Sequence, residues 1–139
     1  MDAAGRVGAA NRAFYEAFEA RDLDAMSDVW EHSDRALCTH PGWATLRGWG
    51  RVSASFFALF QGQPLQFVLT EEQVEVDGDL AWVSIDENLL GAQGGATVAA
   101  LNLFRRDPDD GRWRMVGHHG SVVSLPVGDE QAEEGPAGA

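Results

Sequence analysis

Apolar residues recur at Ala10, Ala13, Phe14, Ala17 and Phe18, a spacing of three and four that draws one stripe along one face of a helix. Arg21-Asp22 breaks the stripe, and Asp22 is suited to cap a second helix whose inward positions are Leu23, Met26, Val29 and Trp30. The stretch 36–40 reads as a short strand ended by Pro41-Gly42. A third helix over 48–61 buries Trp49, Val52, Phe56 and Leu59 or Phe60. From residue 66 onward the period changes to two, and strands are predicted over 66–76, 80–90, 96–106 and 112–125. Asp77-Gly78, Gly94-Gly95 and Asp107-Pro108-Asp109-Asp110-Gly111 supply the turns, the first being a strong hairpin signal because it tolerates positive φ. Short loops between consecutive strands make the neighbours antiparallel. The pattern predicts an α+β fold, three N-terminal helices packed on one face of a curved, mainly antiparallel sheet. No internal repeat interrupts it.

Composition narrows the setting. At 139 residues, with 45% hydrophobic and 23% charged positions, the chain is one globular domain with one core. No apolar run approaches the roughly 20 residues that cross a bilayer, and the first residues carry no secretion signal, so a cytoplasmic location with no membrane contact is expected. The single cysteine, Cys38, has no internal partner, in keeping with a reducing compartment. All ten basic residues are arginine and the net charge is −12, a field that repels nucleic acid. Asp129, Glu130, Glu133 and Glu134 gather in 126–139, which reads as a disordered acidic tail behind a domain of residues 1–125.

The order of elements, together with Arg21-Asp22-Leu23-Asp24-Ala25-Met26, Cys38-Thr39-His40-Pro41-Gly42-Trp43, Asn102-Leu103-Phe104-Arg105 and Trp113-Arg114-Met115-Val116, resembles the nuclear transport factor 2-like superfamily, its SnoaL-like branch most closely. The resemblance covers roughly residues 8–125. It implies a cone-shaped roll with a deep apolar pocket between helices and sheet. Its members include ketosteroid isomerases, polyketide cyclases, epoxide hydrolases, dehydratases and non-catalytic binding or dimerisation modules, and the fold does not choose among them. A homodimer through the exposed sheet face is also implied, and apolar residues on both faces of strands 80–90 and 96–106 agree with it.

Candidate chemistry sits where the pattern points inward. His40 ends a strand before a proline, where the isomerases of the resemblance carry their catalytic aspartate. It either moves a proton or caps the turn. Glu87 shares a face with Ala81, Val83, Ile85 and Leu89, so it is functional or paired. Asn102 lies on the row of Val98, Ala100 and Phe104, where the resemblance implies an oxyanion donor. In the last strand strict alternation from Trp113 through Met115 and Gly117 turns His119 and Ser121 inward and His118 outward. His119 is then the nearest equivalent of the acid/base group that cyclases supply there, or a core histidine bonded to Glu87 or to a backbone group. The isomerase tyrosine falls near Phe14, which has no hydroxyl, while Tyr15 sits about 100° round the helix, so the full isomerase set is absent. Phe14, Trp43, Trp49 and Phe56, with Ser121, are candidate walls for a small apolar ligand. Cys38, His40, Glu87 and His119 are metal-ligand types without a recognised spacing, so no metal or cofactor is expected, and a metal-binding variant using His and Glu ligands is the minority alternative. The sequence thus leaves two classes open: a cofactor-independent acid/base enzyme of isomerase, cyclase or dehydratase type, and a non-catalytic binding or dimerisation module.

Overall fold

The computed structural model describes residues 1–91 and 95–124. Helix α1 (Ala3–Ala20) starts seven residues ahead of the apolar stripe because Asp2 caps it, accepting from the Gly5 amide at 2.8 Å. It stops at Arg21, which adopts a left-handed φ of 52° and returns its amide to the carbonyls of Ala17 and Phe18. Asp22 then caps α2 (Leu23–Val29) through the Ala25 amide at 3.0 Å, as its position predicts. Trp30 leaves the helix in extended conformation yet stays buried, bridging to Met115. The short strand β1 (Leu37–Thr39) is followed by β2 (Leu46–Arg47), which the pattern did not reveal, and by α3 (Trp49–Leu59). Strands β3 (Gln66–Asp77), β4 (Leu80–Leu90), β5 (Ala96–Arg106) and β6 (Trp113–Val122) follow.

These strands form one curved, unclosed sheet in the order β2-β1-β6-β5-β4-β3. The meander is antiparallel, and β1 lies parallel to β6 at its far side. The fold is therefore the α+β arrangement the sequence predicts, with the three helices packed into the concave face. Phe14, Phe56, Phe104, Trp30, Met26 and Met115 fill the space between, each at most 1% exposed. Among the described residues no helix is long and apolar enough to cross a membrane. The turn expected at Gly94-Gly95 falls partly, and the tail over 126–139 wholly, outside the described residues.

Two irregularities decide which side chains reach the interior. In β3 the register with β4 shifts between Thr70 and Gln73, and Glu71 at the bulge holds φ at 60°. In β6, Gly117 pairs with Leu103 while Met115 pairs with Phe104, so Val116 is left without a partner. One extra residue reverses the alternation beyond it. Trp113 and Met115 face inward before the bulge, and His118 and Gly120 after it.

Candidate functional site

α1 projects Asn11 and Tyr15 from successive turns into the cone, beside Phe14. Glu87 reaches in from β4, Asn102 from β5 and His118 from β6, all at most 5% exposed. Asn102 is the hub. Its Nδ2 donates to Asn11 Oδ1 at 2.8 Å and to the Tyr15 hydroxyl oxygen at 3.0 Å, while its Oδ1 accepts from His118 Nδ1 at 2.5 Å. Tyr15 passes its own proton toward Glu87, with 2.6 Å between the hydroxyl and Oε2. Asn11 Nδ2 donates to Glu72 Oε2 at 3.3 Å. Five buried polar residues on four elements are thereby joined in one network inside an apolar shell.

His40, 3% exposed, stands across the same space, its ring centroid 6.3 Å from that of His118. Ser55 gives its proton to the Val52 carbonyl at 2.6 Å, so its oxygen accepts from His40 Nε2 at 2.9 Å. That bond assigns the ring proton to Nε2 and leaves a lone pair on Nδ1, 3.8 Å from Cys38 Sγ. On His118 the assignment is opposite: Nδ1 carries the proton, and Nε2 keeps the lone pair. Gly120 allows this crowding, because a Cβ there would stand 2.9 Å from Val98 and 3.3 Å from Pro41.

Burial sets the charge states. It pushes the Glu87 carboxyl up to about 7, with the Tyr15 hydrogen bond opposing it. Burial lowers His40 to about 4. His118 falls to about 3, by burial first and then by the nearness of His40 and His119. The Tyr15 hydroxyl is pushed far above its ordinary value, by burial and then by the charge of Glu87. Burial likewise raises the Cys38 thiol to about 12, so it is no nucleophile. At neutral pH the interior holds two neutral imidazoles, a neutral tyrosine and one carboxyl group that titrates.

His40, Glu87 and Asn102 lie inward, on the faces predicted for them, and Phe14 and Phe56 are fully buried beside them. His119 does not. The bulge at Val116 turns it to the outer face opposite Leu101, and Ser121 goes out with it, so His118 occupies the inward place assigned to His119. Trp43 covers His40 edge-on with ring centroids 4.9 Å apart but is 42% exposed. Trp49 lies away from the network, stacked on His32 and leaning on Trp30. Tyr15 also departs from expectation: α1 is covered over so wide an arc that both Phe14 and Tyr15 are buried. The i, i+4 pairing of Asn11 with Tyr15 is the signal that marks this second inward row. For His118 the signal is Gly117, a glycine inside a strand pattern, which marks a bulge.

Among the described residues no three His, Cys, Asp or Glu side chains are placed to hold a metal ion, and with His119 outside, the metal-ligand set of the sequence is broken up. Four surface grooves of about 220 to 450 Å³ lie elsewhere, and none is lined by His40, Glu87, Asn102 or His118. The largest of them runs between α1 and α2 against Arg112 and Trp113. The network is packed by its own side chains.

Comparison with known sequences matches residues 7–125 to the SnoaL-like domain. The chain belongs to the SnoaL-like family. Among solved structures this SnoaL-like chain is similar to a candidate dehydratase of the NTF2-like family from Streptomyces avermitilis, at 38% identity and TM-score 0.79 over 88% of this chain and 96% of that one. It is also similar to a candidate calcium/calmodulin-dependent protein kinase type II association domain from Thiobacillus denitrificans, at 36% identity and TM-score 0.72 over 84% and 94%. Among curated proteins it matches the F-box protein SKIP8 of Arabidopsis thaliana, 30% identical over 116 residues. That stretch is 83% of this chain, which spans about half (48%) of the length of that relative.

Proposed function

We propose that this SnoaL-like protein takes a small apolar molecule into the cone and moves a proton on it without a cofactor, in a reaction of isomerase, cyclase or dehydratase type. The observation that carries this reading is Glu87, a carboxyl group 5% exposed that accepts from Tyr15 at 2.6 Å inside an apolar shell, a burial that raises it to about 7 and so suits it to acid/base work. Around it stand the parts such a reaction uses. His40 Nδ1 and His118 Nε2 are neutral acceptors in a medium of low polarity, and Tyr15 and the Asn102 amide serve a carbonyl or hydroxyl oxygen by exchanging for it the hydrogen bonds they give to Glu87, Asn11 and Tyr15. Trp43, 42% exposed, lies edge-on between His40 and solvent. The likeness to the Streptomyces avermitilis candidate dehydratase supports this class of chemistry. A cytoplasmic setting belongs to the same reading, resting on the lone buried cysteine.

A thermal-shift screen of apolar ketones, epoxides and polyketide-like compounds, followed by NMR of each hit in D₂O, tests it. The expected result is a ligand that raises the melting temperature and takes up solvent deuterium beside its carbonyl group. Glu87→Gln should slow that uptake by roughly 10²–10⁴-fold, the worth of a positioned acid/base group. No stabilising ligand, or uptake indifferent to Glu87→Gln, ends the proposal.

A second reading, a non-catalytic association module, is favoured by the packed interior and by the name of the Thiobacillus denitrificans relative. Either way we infer a homodimer through the outer sheet face. There Trp82 lies opposite Leu103, which lies opposite Gly117, and Leu101 lies opposite His119, with Trp82, Leu101 and Leu103 all 37–42% exposed. A solvated face would carry polar residues at these positions. Sedimentation velocity should find a dimer, and Leu103→Glu, which sets a carboxylate in the middle of the patch, a monomer. A concentration-independent monomer for the unaltered chain refutes the dimer.

A further inference from the structure

Glu72 is an exposed residue of β3, yet its carboxylate reaches the buried network. The bulge makes this possible: the left-handed φ of Glu71 interrupts the register between Thr70 and Gln73 and swings the next residue toward α1. Backbone strain held in a non-glycine residue persists only where the surroundings over-determine it. Glu72 also stands close enough to Tyr15 for its charge to help raise that hydroxyl.

A carboxylate only accepts hydrogen bonds, whereas an amide presents a donor at one end and an acceptor at the other. Glu72 therefore imposes a direction. Asn11 must turn Nδ2 toward it and Oδ1 inward. Asn102 must turn Nδ2 toward Asn11 Oδ1 and hence Oδ1 toward β6. His118 must meet that oxygen with a protonated Nδ1, leaving Nε2 bare. Glu87 imposes the same sense from the other end: while ionised it takes the Tyr15 proton, so the Tyr15 oxygen must accept from Asn102. A protonated Glu87 can donate to Tyr15 instead, and then only Glu72 holds the order.

We propose that Glu72 is a positioning residue for His118: through Asn11 and Asn102 it fixes the imidazole tautomer and presents Nε2 to the site as a proton acceptor whatever the state of Glu87. The inference deepens the acid/base reading of the same cluster. Its test needs no turnover, so its failure and the failure of that reading are separate results. The titratable groups facing His118 and Glu87 are Tyr15 from α1, Glu72 from β3, and Cys38 and His40 at β1, while His119 on the outer face of β6 reaches His118 only through its charge. Using Glu87→Gln as the neutral stand-in avoids changing the charge of any of the others.

The experiment is long-range ¹H–¹⁵N correlation of the His118 ring in the full chain without ligand. The unaltered protein and Glu87→Gln should both show one tautomer, with the proton on Nδ1. Glu72→Gln/Glu87→Gln, isosteric at both ends, and Glu72→Ala/Glu87→Gln should both show ring nitrogens shifted to intermediate values, the mark of two tautomers in exchange. A side chain that only props the fold would lower stability and leave the ring shifts alone. The proposal is overturned if the unaltered protein carries its proton on Nε2, or if either folded double variant keeps the single Nδ1–H tautomer.

Discussion

Asn102→Leu should lower the unfolding free energy by about 3–6 kcal/mol, read from the urea midpoint followed by tryptophan fluorescence. Leucine matches asparagine in shape, so almost no cavity forms, and the cost comes from stranded partners. His118 Nδ1, Asn11 Oδ1 and the Tyr15 oxygen all lose the group they share. Each buried polar group left unmet costs about 1–3 kcal/mol. The loss sits below the top of the summed range because Tyr15 keeps Glu87 and Asn11 keeps Glu72. Asn102→Asp separates polarity from packing. A carboxylate at the hub cannot donate to Asn11 or Tyr15 and lies on the strand facing Glu87, so it should fold well only when protonated. Its stability should therefore approach that of the unaltered chain at acidic pH and fall away toward pH 8. A loss under about 1 kcal/mol for Asn102→Leu would mean that water enters and satisfies the stranded groups, and the network would not be dry.

How far the sequence led can be told from the same residues. The faces of Glu87 and Asn102 were legible because β4 and β5 keep strict alternation over their whole length, and period two translates directly into in and out. The helices were legible from their stripe and from Asp22, whose cap needs only local geometry. β6 failed halfway, since the alternation survives to Met115 and the unpartnered Val116 then reverses it. A one-residue bulge alters no composition and barely any periodicity, yet it exchanges His118 for His119. Gly117 hinted at it: a Cβ there would press on Leu103 at 3.1 Å. Tyr15 was missed for a different reason. Helical stripes are drawn for helices covered on one side, and α1 is wrapped by sheet, by α2 and by the aromatic side chains of α3 over a wider arc, so two neighbouring residues are both inside. Glu72 was beyond reach altogether, because its role depends on Glu71 adopting a backbone conformation that its residue type disfavours.

Glu87→Gln should make the protein more stable than its parent by about 3 kcal/mol at pH 8, an advantage that vanishes near pH 4. The sign follows from linkage: stability rises with pH where the unfolded chain binds more protons than the folded one, and falls where it binds fewer. Glu87 titrates at about 7 in the fold against an ordinary 4.5, so between those values the folded chain holds a proton that the unfolded chain has released. Glu87 by itself takes about 1.4 kcal/mol per pH unit from the parent as pH rises through that window, and the glutamine variant is spared that contribution. The histidines act in the opposite sense. His40 and His118, lowered to about 4 and about 3 from 6.5, must be charged to match the unfolded chain, so each makes the fold less stable as pH drops below 6.5. Between pH 4.5 and 6.5 the parent combines two such losses with one offsetting gain from Glu87, a net slope of about 1.4 kcal/mol per unit. Glu87→Gln keeps both losses and drops the offset, so its acid limb should be about twice as steep. Urea titrations of both proteins from pH 4 to pH 8 decide it. A variant less stable than its parent at pH 8 would show Glu87 to be an ionised, fully compensated structural group. A variant that gains stability while losing ligand-dependent deuterium uptake would show that the fold bears an uncompensated carboxyl group for the sake of chemistry, the expected signature of a working site.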